Sequence, residues 1–157
     1  MQKLGKLIFS IVLPFMAAAV GSLFTVSSIP TWYATLYKPF FSPPNWIFGP
    51  VWTLLYLLMG ISFYLVWVSK KKKKKSAYKY YFVQLMLNAL WSIVFFGMHQ
   101  LVLSLIVIVL LLYFIFKTIT SFGKIDKLAG QFLYPYIVWV SFATVLNLSI
   151  VLLNRSY

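Results

Sequence analysis

Five apolar runs, each near the roughly 20 residues that a helix needs to cross a hydrocarbon core, partition this chain: residues 4–25, 46–68, 78–98, 101–121 and 131–153. The fold class that follows is an all-α integral membrane protein, a bundle of five transmembrane helices forming one membrane domain over residues 1–157. Composition points the same way: 62% of residues are hydrophobic and Asp126 is the one acidic side chain, whereas a soluble domain charges about a quarter of its residues. Lys3, Lys6, the first run and Ala17 to Ala19 have the outline of a secretory signal. The run is longer than a signal core and four more follow it, so it reads as a retained span.

The formal charge of +13 invites a nucleic-acid reading, but no basic face on a folded domain is available to carry one. Of the 14 basic residues all but Lys38 and Arg155 fall on one side of a five-span topology: Lys3, Lys6, Lys70 to Lys75, Lys79, Lys117, Lys124 and Lys127. The excess of lysine marks that side as cytoplasmic. The protein is then a multi-pass cell-membrane protein with its N-terminus and the Lys70–Lys75 loop inside. Residues 26–45 and the C-terminus lie outside. Attraction of the lysine block to anionic lipid is a second reading of the same residues. There is no cysteine and a single histidine, His99, so neither a disulfide framework nor a metal site is expected.

The runs differ in character. The fourth, "LVLSLIVIVLLLYFIF", is aliphatic all round and reads as lipid-facing packing material. The first carries Ala17, Gly21 and Thr25 at intervals of four, with Ala18 and Ser22 beside them; the third carries Ala89, Ser92 and Gly97. Small residues at such spacing let helices approach closely, within one bundle or between two chains. Trp46 and Trp67 bracket the second run about 31 Å apart at helical rise, the separation of two interfacial belts. Trp52 and Trp91 lie deeper, about 9 and 10 Å below the external surface, and Trp139 roughly 20 Å below it. Each buried indole N–H needs a partner.

Amides accompany these rings. Asn88 is one turn from Trp91, and Tyr56 is one turn below Trp52. Tyr136, Trp139, Ala143 and Asn147 share one helix face, with Ala143 leaving a notch in it. Amides within a membrane either bond across helices as glue or line a cavity, and Asn88 and Asn147 fit both. In "KPFFSPPNWIFGPVWTLLY", Pro43, Pro44 and Pro50 are expected to hold the chain extended before the second span. That stiff external loop would be a lid over an aromatic cavity about 10 Å deep, suited to a flat aromatic molecule rather than an ion.

Three stretches, "KPFFSPPNWIFGPVWTLLY", "LMLNALWSIVFFG" and "YPYIVWVSFATVLN", resemble in order the signature segments of the TspO/MBR family, the tryptophan-rich sensory and translocator proteins once called peripheral benzodiazepine receptors. The resemblance spans essentially the whole chain. It implies a five-helix bundle, commonly a homodimer, that binds tetrapyrroles such as protoporphyrin IX. It also implies binding of hydrophobic drug-like ligands of the benzodiazepine and isoquinoline carboxamide types. Some bacterial members are associated with light-dependent oxidative breakdown of protoporphyrin. By residue matching, Trp52 and Trp139 would serve that chemistry, and Tyr33, Pro43, Asn88, Trp91, Ala143 and Leu146 would complete the ligand site, to which the helix-face reading adds Tyr56 and Asn147. Protoporphyrin is then ligand or substrate, and no cofactor is required. The terminal "SIVLLNRSY" lacks the Tyr that precedes the basic residue in the animal cholesterol motif, which argues against sterol handling.

Two functional classes follow: a tetrapyrrole-binding protein with photo-oxidative activity, and a transporter or stress-sensing receptor for such compounds. No Asp, Glu or His falls within a span to relay protons, so ion-coupled pumping is disfavoured. Nor is there a nucleophile–base constellation or phosphate loop to support hydrolase or kinase chemistry. His99 falls in an exposed turn, and Asp126 sits between Lys124 and Lys127 as a solvated ion pair.

Overall fold

The computed structural model describes residues 2–71 and 74–155; Lys72 and Lys73 of the lysine block lie outside the described residues. Backbone amides within hydrocarbon have no water to bond, so each run closes its hydrogen bonds internally as helix. The elements are α1 (Gln2–Ser28), a short α2 (Trp32–Thr35), α3 (Asn45–Val68), α4 (Lys75–Ser92) continuing into a π-turn (Ile93–Gly97), α5 (Leu101–Ile125), α6 (Lys127–Gln131) and α7 (Tyr134–Leu153). Among the described residues, five segments are long and apolar enough to span a membrane. The end carrying the lysine loops is the lysine end; the end carrying α2 is the lid end.

The fifth predicted span is α7, with the short α6 leading into it. Asp126 caps α6, its carboxylate accepting from the Ala129 N–H at 3.1 Å, so its partner is a helix N-terminus rather than a flanking lysine. The chain turns at Phe132 and Leu133, and α7 starts with Pro135 in its first turn, where a missing N–H loses no helix bond. Pro50 also departs from expectation. Helix α3 begins at Asn45 with Pro44 as its extended cap, so Pro50 lies inside the helix rather than ahead of it.

The fourth span is not lipid-facing all round. Helix α5 buries Ser104, Val107, Ile108, Leu111, Ile115, Ile119 and Phe122. This stripe of helical period packs α5 against α4 and α7. Aliphatic residues on every side hid the stripe, since hydrophobicity does not separate a helix-facing side from a lipid-facing one within a membrane. In the lysine half a stack of three rings joins α3, α4 and α5: Phe63 on Tyr81 at 4.7 Å and Tyr81 on Phe122 at 5.5 Å.

Several small residues serve packing within the chain. A Cβ on Gly60 of α3 would sit 2.7 Å from the Ile11 Cα and 2.9 Å from the Ser10 carbonyl of α1. Gly21 of α1 meets Ser92, and Gly97 meets the Phe24 ring. Helix α1 is thus pinned to α3 near the lysine end and to α4 towards the lid end. Helix α3 also docks on α6, where the Ser62 hydroxyl donates to the Ala129 carbonyl at 2.6 Å. Towards the lid end α3 and α7 meet across aromatic rings, Trp52 against Tyr136 and Phe48 against Trp139.

Candidate functional site

The gap between α1, α3, α4 and α7 is a cavity of about 500 Å³, within the usual range for small-molecule sites. Four helices wall it: Phe15, Ala18, Gly21 and Ser22 from α1; Phe48, Trp52 and Tyr56 from α3; Trp91 from α4; and Trp139, Ala143, Leu146 and Asn147 from α7. Phe95 and Phe96 of the π-turn and Tyr33 of α2 also border it. Of the residues singled out in the sequence, the structure brings together Tyr33, Trp52, Tyr56, Trp91, Trp139, Ala143, Leu146 and Asn147 around one space. Pro43 and Asn88 are not on its wall.

Asn88 lies behind the wall, in a chain of side-chain hydrogen bonds. The Tyr56 hydroxyl donates to Asn88 Oδ1 at 2.8 Å, Asn88 Nδ2 donates to the Tyr136 hydroxyl at 3.2 Å, and that hydroxyl donates to Gln84 Oε1 at 2.9 Å. Asn88, Gln84 and Tyr136 are all buried. The glue reading therefore holds for Asn88, and such bonds contribute about 0.5–2 kcal/mol each. Tyr136 shares this network and leaves the cavity face to Trp139, Ala143 and Asn147.

Asn147 is both glue and wall. Its Oδ1 accepts from Trp91 Nε1 at 3.1 Å and from the Ser104 hydroxyl at 3.2 Å, while Nδ2 donates to the Leu101 carbonyl at 3.4 Å. Trp91 is further fixed by stacking on Phe95 at 5.3 Å. Trp139 contrasts with it. Among the described residues its indole N–H is buried without an acceptor, and its ring packs on Phe48 and Phe142 at 6.0 and 5.5 Å. One indole of the cavity is locked by an amide; another can turn without breaking a hydrogen bond. Trp52 stacks on Tyr56 at 5.4 Å and 26°. The pairings Phe48–Trp139 and Trp52–Tyr136 put Trp52 about one turn nearer the lysine end than Trp139, roughly 5 Å, the reverse of the order expected from the sequence. Counting rise from each helix end assumes flush ends, and α3 starts below the level that α7 reaches.

The π-turn shapes the lid side of the wall. The Met98 N–H bonds to the Ile93 carbonyl at 2.8 Å and the Gln100 N–H to Val94 at 3.1 Å. This wide turn buries Val94, Phe95 and Phe96 in succession, and such insertions often mark functional positions. The Ser28 hydroxyl donates to the Phe96 carbonyl at 2.7 Å. The turn ends at His99 with φ of 55°, a left-handed conformation that histidine adopts more readily than most residues. His99 is exposed as expected, but its ring stacks on Trp32 of α2 at 4.2 Å and 15°.

Apart from Tyr33, the lid is held by groups that sequence reasoning passed over. Tyr33 is 3% exposed and Leu36 4%, so the segment is folded onto the bundle. Asn154, just beyond α7, bonds both backbone groups of Tyr37. Burial raises the pKa of the Tyr33 hydroxyl, and the Lys38 ammonium lies 4.8 Å from the ring centre. The lid covers the end of the cavity but not its side. Ala19, Ser22 and Val26 of α1 and Gly49 and Thr53 of α3 border the cavity and are also exposed. They adjoin the outward residues Leu23 and Leu54. The space therefore opens sideways, between α1 and α3, towards the bilayer.

Fold and cavity together define a five-span membrane protein with an aromatic chamber in the lid half. The chain belongs to the TspO/MBR family, whose profile matches residues 10–153. It is 44% identical over 149 residues to the tryptophan-rich protein TspO of Archaeoglobus fulgidus, covering 95% of this chain and 97% of that one. It is 37% identical over 137 residues to the translocator protein of Homo sapiens, covering 85% and 81%. Against the tryptophan-rich sensory protein of Cereibacter sphaeroides it is 37% identical over 123 residues, covering 78% and 77%.

Proposed function

We propose that this protein binds tetrapyrroles, protoporphyrin IX foremost, in the aromatic cavity and promotes their light-dependent oxidation. The observation that carries the reading is the convergence of Trp52, Trp91 and Trp139 on one apolar space of about 500 Å³, where planar rings find flat partners. Light and dioxygen supply the driving force and the oxidant. The chain's part is to bind the macrocycle, exclude water and keep oxidisable indoles beside it. Trp52 on its Tyr56 stack and the unpinned Trp139 are assigned to that role, and Trp91, held by Asn147, to positioning. Benzodiazepine-type and isoquinoline carboxamide ligands would fill the same space, and the working unit would be a homodimer. The lysine end would face the cytoplasm.

The test is aerobic and anaerobic illumination of purified protein with protoporphyrin, followed by product identification. Trp52→Phe combined with Trp139→Phe should retain porphyrin binding and slow its light-driven loss. Photobleaching unchanged in the double variant would remove the role from those residues.

A second reading, a carrier or stress-sensing receptor for tetrapyrroles, is favoured by the sideways opening between α1 and α3. Relatives bearing the names translocator protein and sensory protein fit that reading too. Net porphyrin flux into sealed, dark vesicles holding only this protein would select it.

A further inference from the structure

Two of the lysines at the lysine end converge on one tryptophan. Trp67, next to the last residue of α3, gathers two ammonium groups. Lys6 of α1 lies 5.5 Å from the centre of its indole. Lys74, at the entry to α4, donates to the Trp67 carbonyl at 2.9 Å and also to the Ser69 carbonyl. Phe9 closes on the same indole edge-on at 5.6 Å. No carboxylate serves these cations: the chain's one acidic side chain, Asp126, is occupied at the N-terminus of α6.

Like charges drawn together without a counter-ion repel each other. The Lys74 pKa reflects this, lowered first by burial and then by the charge on Lys6. An ammonium group has three donors. Lys74 directs two bonds at carbonyls, which leaves donor capacity there and on Lys6. Trp67 stands where α3 leaves the hydrocarbon, the depth at which tryptophans meet headgroups. Against it, Phe9 is 54% exposed, and Val12 and Met16, one and two turns deeper on the same side of α1, are 47% and 61% exposed.

We propose that Lys6, Trp67 and Lys74 form a binding site for the phosphate of an anionic phospholipid in the leaflet at the lysine end. The phosphate oxygens accept from both ammonium groups and offset their repulsion. The acyl chains run along Phe9, Val12 and Met16 of α1. This apolar flank distinguishes a lipid from a free anion, which would use the cations alone. The site lies at the opposite end of the bundle from the aromatic cavity and does not depend on what that cavity holds.

The test is native mass spectrometry of detergent-purified protein given phosphatidylglycerol or phosphatidylcholine of identical acyl chains, with inorganic phosphate as a third arm. Phosphatidylglycerol should be retained over phosphatidylcholine. Lys6→Gln with Lys74→Gln should lower its retention at least fivefold. Lys79→Gln with Lys127→Gln, which removes the same charge from the same end, should change it less than twofold. Lys6→Arg with Lys74→Arg should keep retention and guards against a folding defect in the glutamine pair. Equal retention of the two lipids, an equal loss in both glutamine pairs, or displacement of phosphatidylglycerol by millimolar inorganic phosphate would each overturn the proposal.

Discussion

Asn154 grips Tyr37 through both backbone groups across 117 residues of sequence: its Oδ1 accepts from the Tyr37 N–H at 3.0 Å and its Nδ2 donates to the Tyr37 carbonyl at 2.9 Å. The same Nδ2 also donates to the Ile150 carbonyl at 2.8 Å. A single amide thus ends α7 and fastens the lid.

Asn154→Ala should free the lid without unfolding the bundle. Losing the two bonds to Tyr37 removes about 1–2 kcal/mol. The Tyr37 amide should then exchange its hydrogen roughly tenfold faster, the factor for about 1.4 kcal/mol. Exchange within α5 serves as the internal reference. An unchanged rate at Tyr37 would show that Tyr33 and Leu36 alone hold the lid.

The Gly60 crossing offers a packing test. Gly60→Ala places a Cβ against backbone atoms of Ile11 and Ser10 at 2.7 and 2.9 Å, which cannot yield as a flexible side chain does. A stability loss of about 1–3 kcal/mol is expected. Gly123→Ala, with nothing within 4 Å of its added Cβ, should be neutral or stabilising by up to about 1 kcal/mol. Thermal midpoints in detergent distinguish the two.

Asn88 and Asn147 should respond differently to removal of the amide. Asn88→Leu breaks the Tyr56–Asn88–Tyr136 chain and should lower stability by about 1–3 kcal/mol. Among molecules that stay folded, porphyrin affinity should be unchanged, because Asn88 is off the cavity wall. Asn147→Leu strands the Trp91 N–H and should lower both stability and affinity. Fluorescence quenching titrations read the affinities, and equal losses of affinity in the two variants would place Asn88 within the site after all.

The network should also show coupling. A double-mutant cycle of Asn88→Ala and Tyr136→Phe should return an interaction energy of about 0.5–2 kcal/mol, the range for such bonds within membranes. Strict additivity would mean that the 3.2 Å contact between them contributes nothing.

Much of the architecture was legible because span length is a one-dimensional signal. The aromatic wall was legible in part because Trp139, Ala143 and Asn147 lie one turn apart on α7. What escaped depends on relations between helices. The buried stripe of α5 is invisible when all its sides are aliphatic. The depth of Trp52 beside Tyr136 depends on where α3 begins relative to α7. Asn88 and Asn147 look alike in sequence, and only the neighbours Tyr136 and Trp91 assign one to the interior and the other to the wall. The small residues Ala18, Gly21 and Ser22 read as helix contacts, yet absent bulk also leaves room for a chamber. Asn154 and the Trp32–His99 stack join distant segments and leave no local pattern.

The sideways mouth between α1 and α3 changes what a dissociation constant means here. A guest that enters through the acyl chains equilibrates with its mole fraction in lipid, not with its concentration in buffer. Adding empty bilayer at fixed protein and guest would dilute it and vacate the chamber, though the aqueous volume never changed. Greasy compounds ranked by aqueous titration would then be sorted by partitioning as much as by fit.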